Sequence, residues 1–284
     1  MEKRILGKTG AEVSVFGFGG IVVASMEQDE ANRTVAEAVN RGVNYFDVAP
    51  SYGDAEDRLG PALQPYRTRV ILACKTTKRT RKEAADELRQ SLQKLRTDHF
   101  DVYQLHALDK RDEIETALGP GGALEAFVEA RDKGLVRYIG FSAHSEEAAL
   151  TLMERFDFDT VLFPVNWAYW LKGHKGEEVL RVAEQKNMGR IAMKGLAHRA
   201  WLDGEEKAYP KCWYRPIFDN PELAALALRF TLSRDVHVAL SPGDARMLRL
   251  GLDIVLQSDT RAGLSAPEVK RLSEIAAETE LIFQ

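Results

Sequence analysis

Apolar positions fall into short runs separated by amphipathic stretches, and the two kinds alternate along the chain. Eight runs read as strands, at residues 13–17, 43–47, 70–74, 101–105, 136–141, 160–163, 190–193 and 236–240. The stretches between them carry helical spacing and helix punctuation. From Asp29 to Arg41, Ala31, Val35, Ala38 and Val39 share one face and Gly42 follows as the C′ residue. Ala55 to Leu63 is a short helix. Thr80 and Glu83 form a capping box that opens a helix to about Arg96, with Leu88, Leu92 and Leu95 as its stripe. A helix from Ala123 to Lys133 stops at Gly134, Ser145 caps one reaching Arg155, and Glu177 to Gln185 forms another. Asn220 and Pro221 open a helix to Leu232. Arg246 to Leu256 has helical spacing, and Ser265 with Glu268 starts a last helix to about Leu281.

Ahead of the first run, Arg4–Gly10 and Ala11–Val15 read as a hairpin turned by Gly7 and Gly10. Strand–helix alternation implies parallel strands. Eight such units in about 250 residues predict an α/β fold, a closed (β/α)8 TIM barrel, here with an N-terminal β-hairpin. The rival is an open doubly wound sheet. It is weakened because no G-x-G-x-x-G follows the first strand to open a helix. No shift in composition marks a linker, so residues 1–284 are expected to form a single barrel domain.

Composition narrows the partners. The 39 basic and 43 acidic residues are interleaved and give a net charge of −4, which argues against nucleic acid. No apolar run approaches the length of a membrane span, and Met1–Arg4 has no apolar signal region. The two cysteines, Cys74 and Cys212, lack metal-ligand spacing, and a thiol-poor chain suggests a cytoplasmic location. His99, His144, His174, His198 and His237 also lack ligand spacing, so each is expected on the surface, in a loop or at a cap, and no metal site is expected.

Chemistry concentrates at the strand ends. The run to Asp47, the run to Lys75 and the run to His106 each deliver an ionisable side chain at the C-terminal end, and Tyr52 lies on the loop after the first. In a parallel barrel those ends share one face, where active sites sit. An ammonium beside a phenol stabilises the phenolate, and a carboxylate keeps the ammonium charged and in place. Tyr52 can then donate a proton to a carbonyl oxygen, with His106 orienting that oxygen. Cys74, next to Lys75, points to the opposite side of its strand and is expected to pack as a small hydrophobe.

These residues sit in motifs that resemble the aldo-keto reductases: Leu6–Gly10, Gly17-Phe18-Gly19-Gly20, Asn44 to Gly53 with Glu56 and Leu59-Gly60, Lys75, Asp101 to His106, and Gly134 to Ser142. The likeness runs from about residue 4 to 255. It implies a barrel that binds a nicotinamide dinucleotide and transfers hydride to a small carbonyl substrate, with Asp47, Tyr52, Lys75 and His106 as the catalytic residues. It further implies cofactor contacts from Gly19, Gly20, Asp47, Ser142, Met193, Lys194, Ser241, Gly243, Arg246 and Asp253. Three positions depart from the family pattern. Ala143 stands where an Asn usually follows the serine, Pro164 replaces a usual Gln, and Met193 replaces an aromatic residue under the nicotinamide.

In that family the loop after the eighth strand holds the adenosine 2′-phosphate. Here Arg246 lies in the first turn of a helix, a position suited to an anion, with Arg249 three residues on. Asp244 opposes them, so the expectation is a modest preference for NADP(H), with NAD(H) also possible. The chain also ends soon after its last helix, without the long C-terminal loop of many members, so an open pocket is expected. Its candidate walls are Tyr52, Trp167, Tyr169, Trp170 and Trp213, although Trp167 and Trp170 would equally suit one face of a helix in the barrel coat. Two other functions use the same residues: a Schiff-base lyase with Lys75 as nucleophile, and a cofactor-binding subunit that senses redox state.

Overall fold

A computed structural model describes every residue except Arg261 and Gln284. Strands β1 (Lys3–Ile5) and β2 (Glu12–Ser14) pair antiparallel as the hairpin. Eight parallel strands then close into a barrel: β3 (Phe16–Gly19), β4 (Tyr45–Asp47), β5 (Ile71–Thr76), β6 (Phe100–Leu105), β7 (Val136–Ser142), β8 (Thr160–Pro164), β9 (Gly189–Met193) and β12 (Val238–Leu240), with β12 returning to β3. A short antiparallel pair, β10 (Ala197–Arg199) and β11 (Arg215–Pro216), lies in the long connection between β9 and β12.

Around the barrel run α1 (Gln28–Asn40), α2 (Ala55–Leu63), α3 (Arg81–Lys94), α4 (Arg111–Leu118), α5 (Ala123–Asp132), α6 (Glu146–Arg155), α7 (Trp167–Leu171), α8 (Glu177–Gln185), α9 (Pro221–Leu232), α10 (Ala245–Gln257) and α11 (Ala266–Glu278).

The strands alternate in side-chain direction, and this places the site. Tyr45, Ala73, Val102, Leu162, Ile191 and Val238 form a cluster separate from the main core, together with Leu6 and Val13 of the hairpin. These residues fill the barrel interior, and the hairpin lies against its N-terminal end. The intervening residues, such as Phe46, Leu72, Cys74, Tyr103 and Phe163, pack in the main core with the helices. A period of two then sends Asp47, Lys75 and Ser142 inward at the C-terminal ends of β4, β5 and β7.

The structure differs from the sequence expectation at several ends. Residues 13–17 do not form one strand. The chain turns at Val15, where Ser14 N–H donates to Asn44 Oδ1 (2.6 Å) and Asn44 N–H donates to Ser14 Oγ (3.1 Å), so β2 belongs to the hairpin and β3 to the barrel. The Thr80 capping box does not form, because the Thr80 hydroxyl donates to Glu83 Oε2 (2.6 Å) and no backbone N–H is capped by it. The Ser265–Glu268 box forms in both directions, and Ser145 and Asn220 cap their helices. Helix α4 was not predicted; only Ile114 and Ala117 on it are buried, too sparse a stripe to announce a helix. Helix α11 stops at Glu278, short of Leu281, and Lys172 Nζ donates to Thr279 O (2.8 Å) where the tail turns back towards the barrel mouth.

Candidate active site

A cavity of about 480 Å³ opens at the C-terminal face of the barrel. Asp47, Tyr52 and His106 line it, and Lys75, fully buried, lies beneath. The Lys75 ammonium donates to Asp47 Oδ1 and, at 3.3 Å, to the Tyr52 hydroxyl. The His106 ring stands edge-on to Tyr52, with centroids 5.8 Å apart, and its Nδ1 is 3.4 Å from Ser51 Oγ. Three strands and one loop thus bring the four candidate catalytic residues into one corner.

The charges in this corner follow from burial and pairing. Burial works against the Lys75 charge, but Asp47 and Tyr52 outweigh it and hold the ammonium above its ordinary pKa. Burial raises the Asp47 carboxyl, while Lys75 pulls it down. For Tyr52, burial raises the phenol by more than Lys75 lowers it, so the hydroxyl stays protonated at neutral pH. The expectation that Lys75 lowers this phenol therefore holds for the direction of the Lys75 effect and not for the sum. His106 is pushed down to about 3, first by burial and then by Lys75, so its imidazole is neutral.

The candidate cofactor residues divide into two groups. Gly19, Ser142, Met193, Lys194, Ser241 and Gly243 line the same cavity as Asp47. Gly20 does not; a Cβ there would meet Val48 and Asp47 O, so it serves the packing of β3 on β4. At Gly19 a Cβ would lie 2.6 Å from Ser241 O, and Gly19 N–H donates to Ser241 Oγ (2.9 Å). That glycine admits the loop after β12 at the edge of the cavity.

Arg246 is held outside the cavity. Its Nε donates to Asp244 Oδ1 (2.9 Å) and its Nη2 to Asp244 Oδ2 (3.0 Å), over the Tyr209 ring at 4.0 Å. Arg249 turns to Glu37 (2.9 Å). Asp253 is also displaced from the site, since it sits more than two turns into α10 and pairs with Arg41 beside α1.

The aromatic wall differs from the expected one. Trp213, 65% exposed, lies at the lip with its ring 5.5 Å from Tyr52. Tyr214 and Phe283 complete the wall. Trp167 is fully buried with its indole N–H on Ala197 O (3.1 Å), and Trp170 stacks edge-on against Phe230, so both belong to the coat. Tyr169 meets the Phe283 ring of the wall, with ring centroids 5.8 Å apart. The tail carries Phe283 back into the cavity wall and narrows the expected open pocket on that side. His144, expected in a surface, loop or capping role, lines the cavity and pairs with Asp109 (3.0 Å). Its position two residues beyond the inward Ser142 was the available signal.

The polar groups of the cavity suit the reacting end of a nicotinamide dinucleotide. Asp47 Oδ2 is buried without a partner among the described residues and can accept from a ligand hydroxyl. Ser142 Oγ accepts from Ala107 N–H (2.8 Å), which leaves its own proton to donate.

The family model described as the aldo/keto reductase family matches residues 15–277. The chain belongs to the aldo-keto reductase family. An uncharacterized oxidoreductase, YqkF, of Bacillus subtilis is 28% identical over a match covering 72% of this chain and 69% of its own length. L-galactose dehydrogenase of Arabidopsis thaliana is 29% identical, over 69% and 66%. Among solved structures, the holo form of aldo-keto reductase AKR11C1 from Bacillus halodurans superposes with a TM-score of 0.72 at 22% identity, covering 97% of this chain and 96% of that one, a likeness of fold. For an aldo-keto reductase, family and fold together imply NAD(P)H-dependent carbonyl reduction. Among the described residues, no helix is long and apolar enough to cross a membrane.

Proposed function

We propose that the protein reduces aldehydes or ketones to alcohols with Tyr52 as the proton donor. The observation that carries this reading is the contact of the Tyr52 hydroxyl with the Lys75 ammonium at 3.3 Å, on the wall of a cavity sized for a small carbonyl compound and the reacting end of a cofactor. When bound, the nicotinamide supplies the hydride that adds to the carbonyl carbon. Tyr52, protonated at rest, gives its proton to the carbonyl oxygen, and Lys75 stabilises the phenolate left behind. Asp47 fixes the ammonium and keeps it charged. Neutral His106 donates an N–H to the same oxygen and adds no competing positive charge.

The same ion pair argues against Lys75 as a Schiff-base nucleophile, since nucleophilic attack requires the neutral amine and Asp47 favours the ammonium. A redox-sensing subunit needs no such proton donor, and no contact in the site favours that reading. A preference for NADPH over NADH is part of the proposal, and it is small because Asp244 already occupies Arg246.

Tyr52→Phe tests the assignment. Reduction of a panel of simple aldehydes, followed by NADPH absorbance, should fall by roughly 10²–10⁴, while NADPH affinity stays near that of the unmodified protein. Near-normal turnover would sink the role given to Tyr52.

A further inference from the structure

The reaction as proposed uses one histidine of the cavity and leaves another, His144, without a task. His144 lines the cavity two residues beyond Ser142, and its ring packs on Phe283 with centroids 5.3 Å apart. Its Nδ1 lies 3.0 Å from Asp109 Oδ2, while Asp109 Oδ1 accepts from the backbone N–H groups of His144 (2.5 Å) and Ser145 (3.0 Å). Burial raises the Asp109 carboxyl, but these bonds outweigh it and hold it below its ordinary pKa. His144 Nε2 has no hydrogen-bond partner among the described residues and is not sealed in the core.

A carboxylate only accepts, so the proton of a neutral His144 stays on Nδ1 and Nε2 is left as a bare lone pair. His106 is held the other way. Its Nδ1 faces the Ser51 hydroxyl, which can donate, and that leaves an N–H for the carbonyl oxygen. The other reacting groups also present protons: the Tyr52 hydroxyl is protonated, and Ser142 Oγ accepts from Ala107 N–H and has its own proton to give. His144 thus adds a fixed acceptor to a site whose reacting groups donate. When a ligand displaces water from Nε2, a proton on the ligand must replace the lost bond, and a ligand without one binds less well.

We infer that His144, held by Asp109, is an acceptor subsite for a hydrogen-bond donor carried by a ligand. An O–H on a hydroxylated carbonyl substrate and the N–H of the nicotinamide carboxamide both offer this chemistry, and binding measurements tell them apart. The substrate source rests on the reductase reading above, and the acceptor itself does not. A substrate recognised in this way is a hydroxyaldehyde or a hydroxyketone, with its carbonyl on Tyr52 and its hydroxyl on His144.

The test uses the full chain and reads binding alone, at a pH above the ordinary histidine range. Calorimetry compares NADP+ with its 3-acetylpyridine analogue, in which a methyl group replaces the amide nitrogen. With NADPH bound, it compares 2-, 3- and 4-(hydroxymethyl)benzyl alcohol with the corresponding methylbenzyl alcohols, which lack one hydroxyl. The ligand that donates to His144 should bind at least about fivefold more tightly than its counterpart, the weight of one hydrogen bond. That ratio should fall to near one in His144→Phe and be kept in part by His144→Gln, which retains an acceptor. Loss of the cofactor ratio assigns the subsite to the carboxamide, and loss of the diol ratio assigns it to the substrate hydroxyl. Ratios near one for both comparisons in the unmodified protein would overturn the inference, as would ratios that survive His144→Phe. A second measurement needs no variant. In 15N NMR of the histidine rings, with His144 assigned through its own backbone, Nδ1 should carry the proton and Nε2 none; a proton on Nε2 would overturn the inference equally. Failure to reduce any aldehyde while a ratio stands would count against the reductase reading and leave the acceptor subsite in place.

Discussion

Replacing Lys75 by methionine separates a proton-transfer site from a structural ion pair. Methionine keeps the length and apolar stem and removes only the charge. With the ammonium 3.3 Å from the Tyr52 oxygen, Coulomb's law at an effective dielectric constant of about 20 gives roughly 5 kcal/mol of attraction for the phenolate. That upper bound corresponds to nearly 4 pH units, and opposite charges at such range ordinarily move a pKa by about 1–3. Removing Lys75 also leaves the Asp47 carboxylate uncompensated beside the phenol, which pushes in the same direction.

Tyr52 in Lys75→Met should therefore ionise at least about one unit further into the alkaline range. The assay is a near-ultraviolet titration of tyrosinate in the unmodified protein and in Lys75→Met. Each is read against the same protein carrying Tyr52→Phe, so that the other tyrosines subtract out. At the highest pH where all four proteins stay folded, the Tyr52 tyrosinate signal should be at least about tenfold lower in Lys75→Met. Reduction of aldehydes should fall as well, because the phenolate formed in the step loses its stabilisation. Superimposable titration curves would refute the reasoning and leave Lys75 and Asp47 as a buried ion pair with no hold on the proton.

Asp244→Asn should free Arg246 while keeping the helix cap that Asp244 provides. The ratio of NADPH to NADH affinity, measured by protein fluorescence, should then rise roughly fivefold, equivalent to about 1 kcal/mol for an exposed pair; an unchanged ratio would remove Arg246 from cofactor selection. Acid stability offers a check on burial. His237 is pushed down to about 4, first by burial and then by Arg190, and its Nδ1 accepts from Arg190 N–H (2.9 Å). Between its unfolded value near 6.5 and about 4 the unfolded chain binds more protons, so its contribution is complete above that window and is lost as pH falls through it. The fall in Tm from pH 7 to 5 should be smaller in His237→Gln, which can still accept from Arg190; equal falls would place the acid sensitivity elsewhere.

Much of the candidate catalytic corner was legible in the sequence because it depends on local rules. Strand alternation decides that Asp47, Lys75 and Ser142 point the same way as Tyr45, Ala73 and Gly140, and parallel closure decides that their ends meet. The family motifs added Tyr52 on its loop. Capping at Ser145, Asn220 and Ser265 was equally local.

The walls of the cavity were not legible, because they depend on contacts between residues far apart in the chain. The indoles of Trp167 and Trp213 are alike in sequence terms, yet one is sealed by Ala197 O in the coat and the other stands at the lip over Tyr52. Phe283 reaches Lys194 only because Thr279 is held by Lys172 and the tail turns back across the barrel mouth. Arg246 is a free cation in the sequence pattern, but the fold closes it on Asp244 and seats it on the Tyr209 ring. Hydrophobic period and turn chemistry act over a few residues, and so they place strand ends. Which loop covers those ends, and which charge is left without a partner, is settled by packing across the whole barrel.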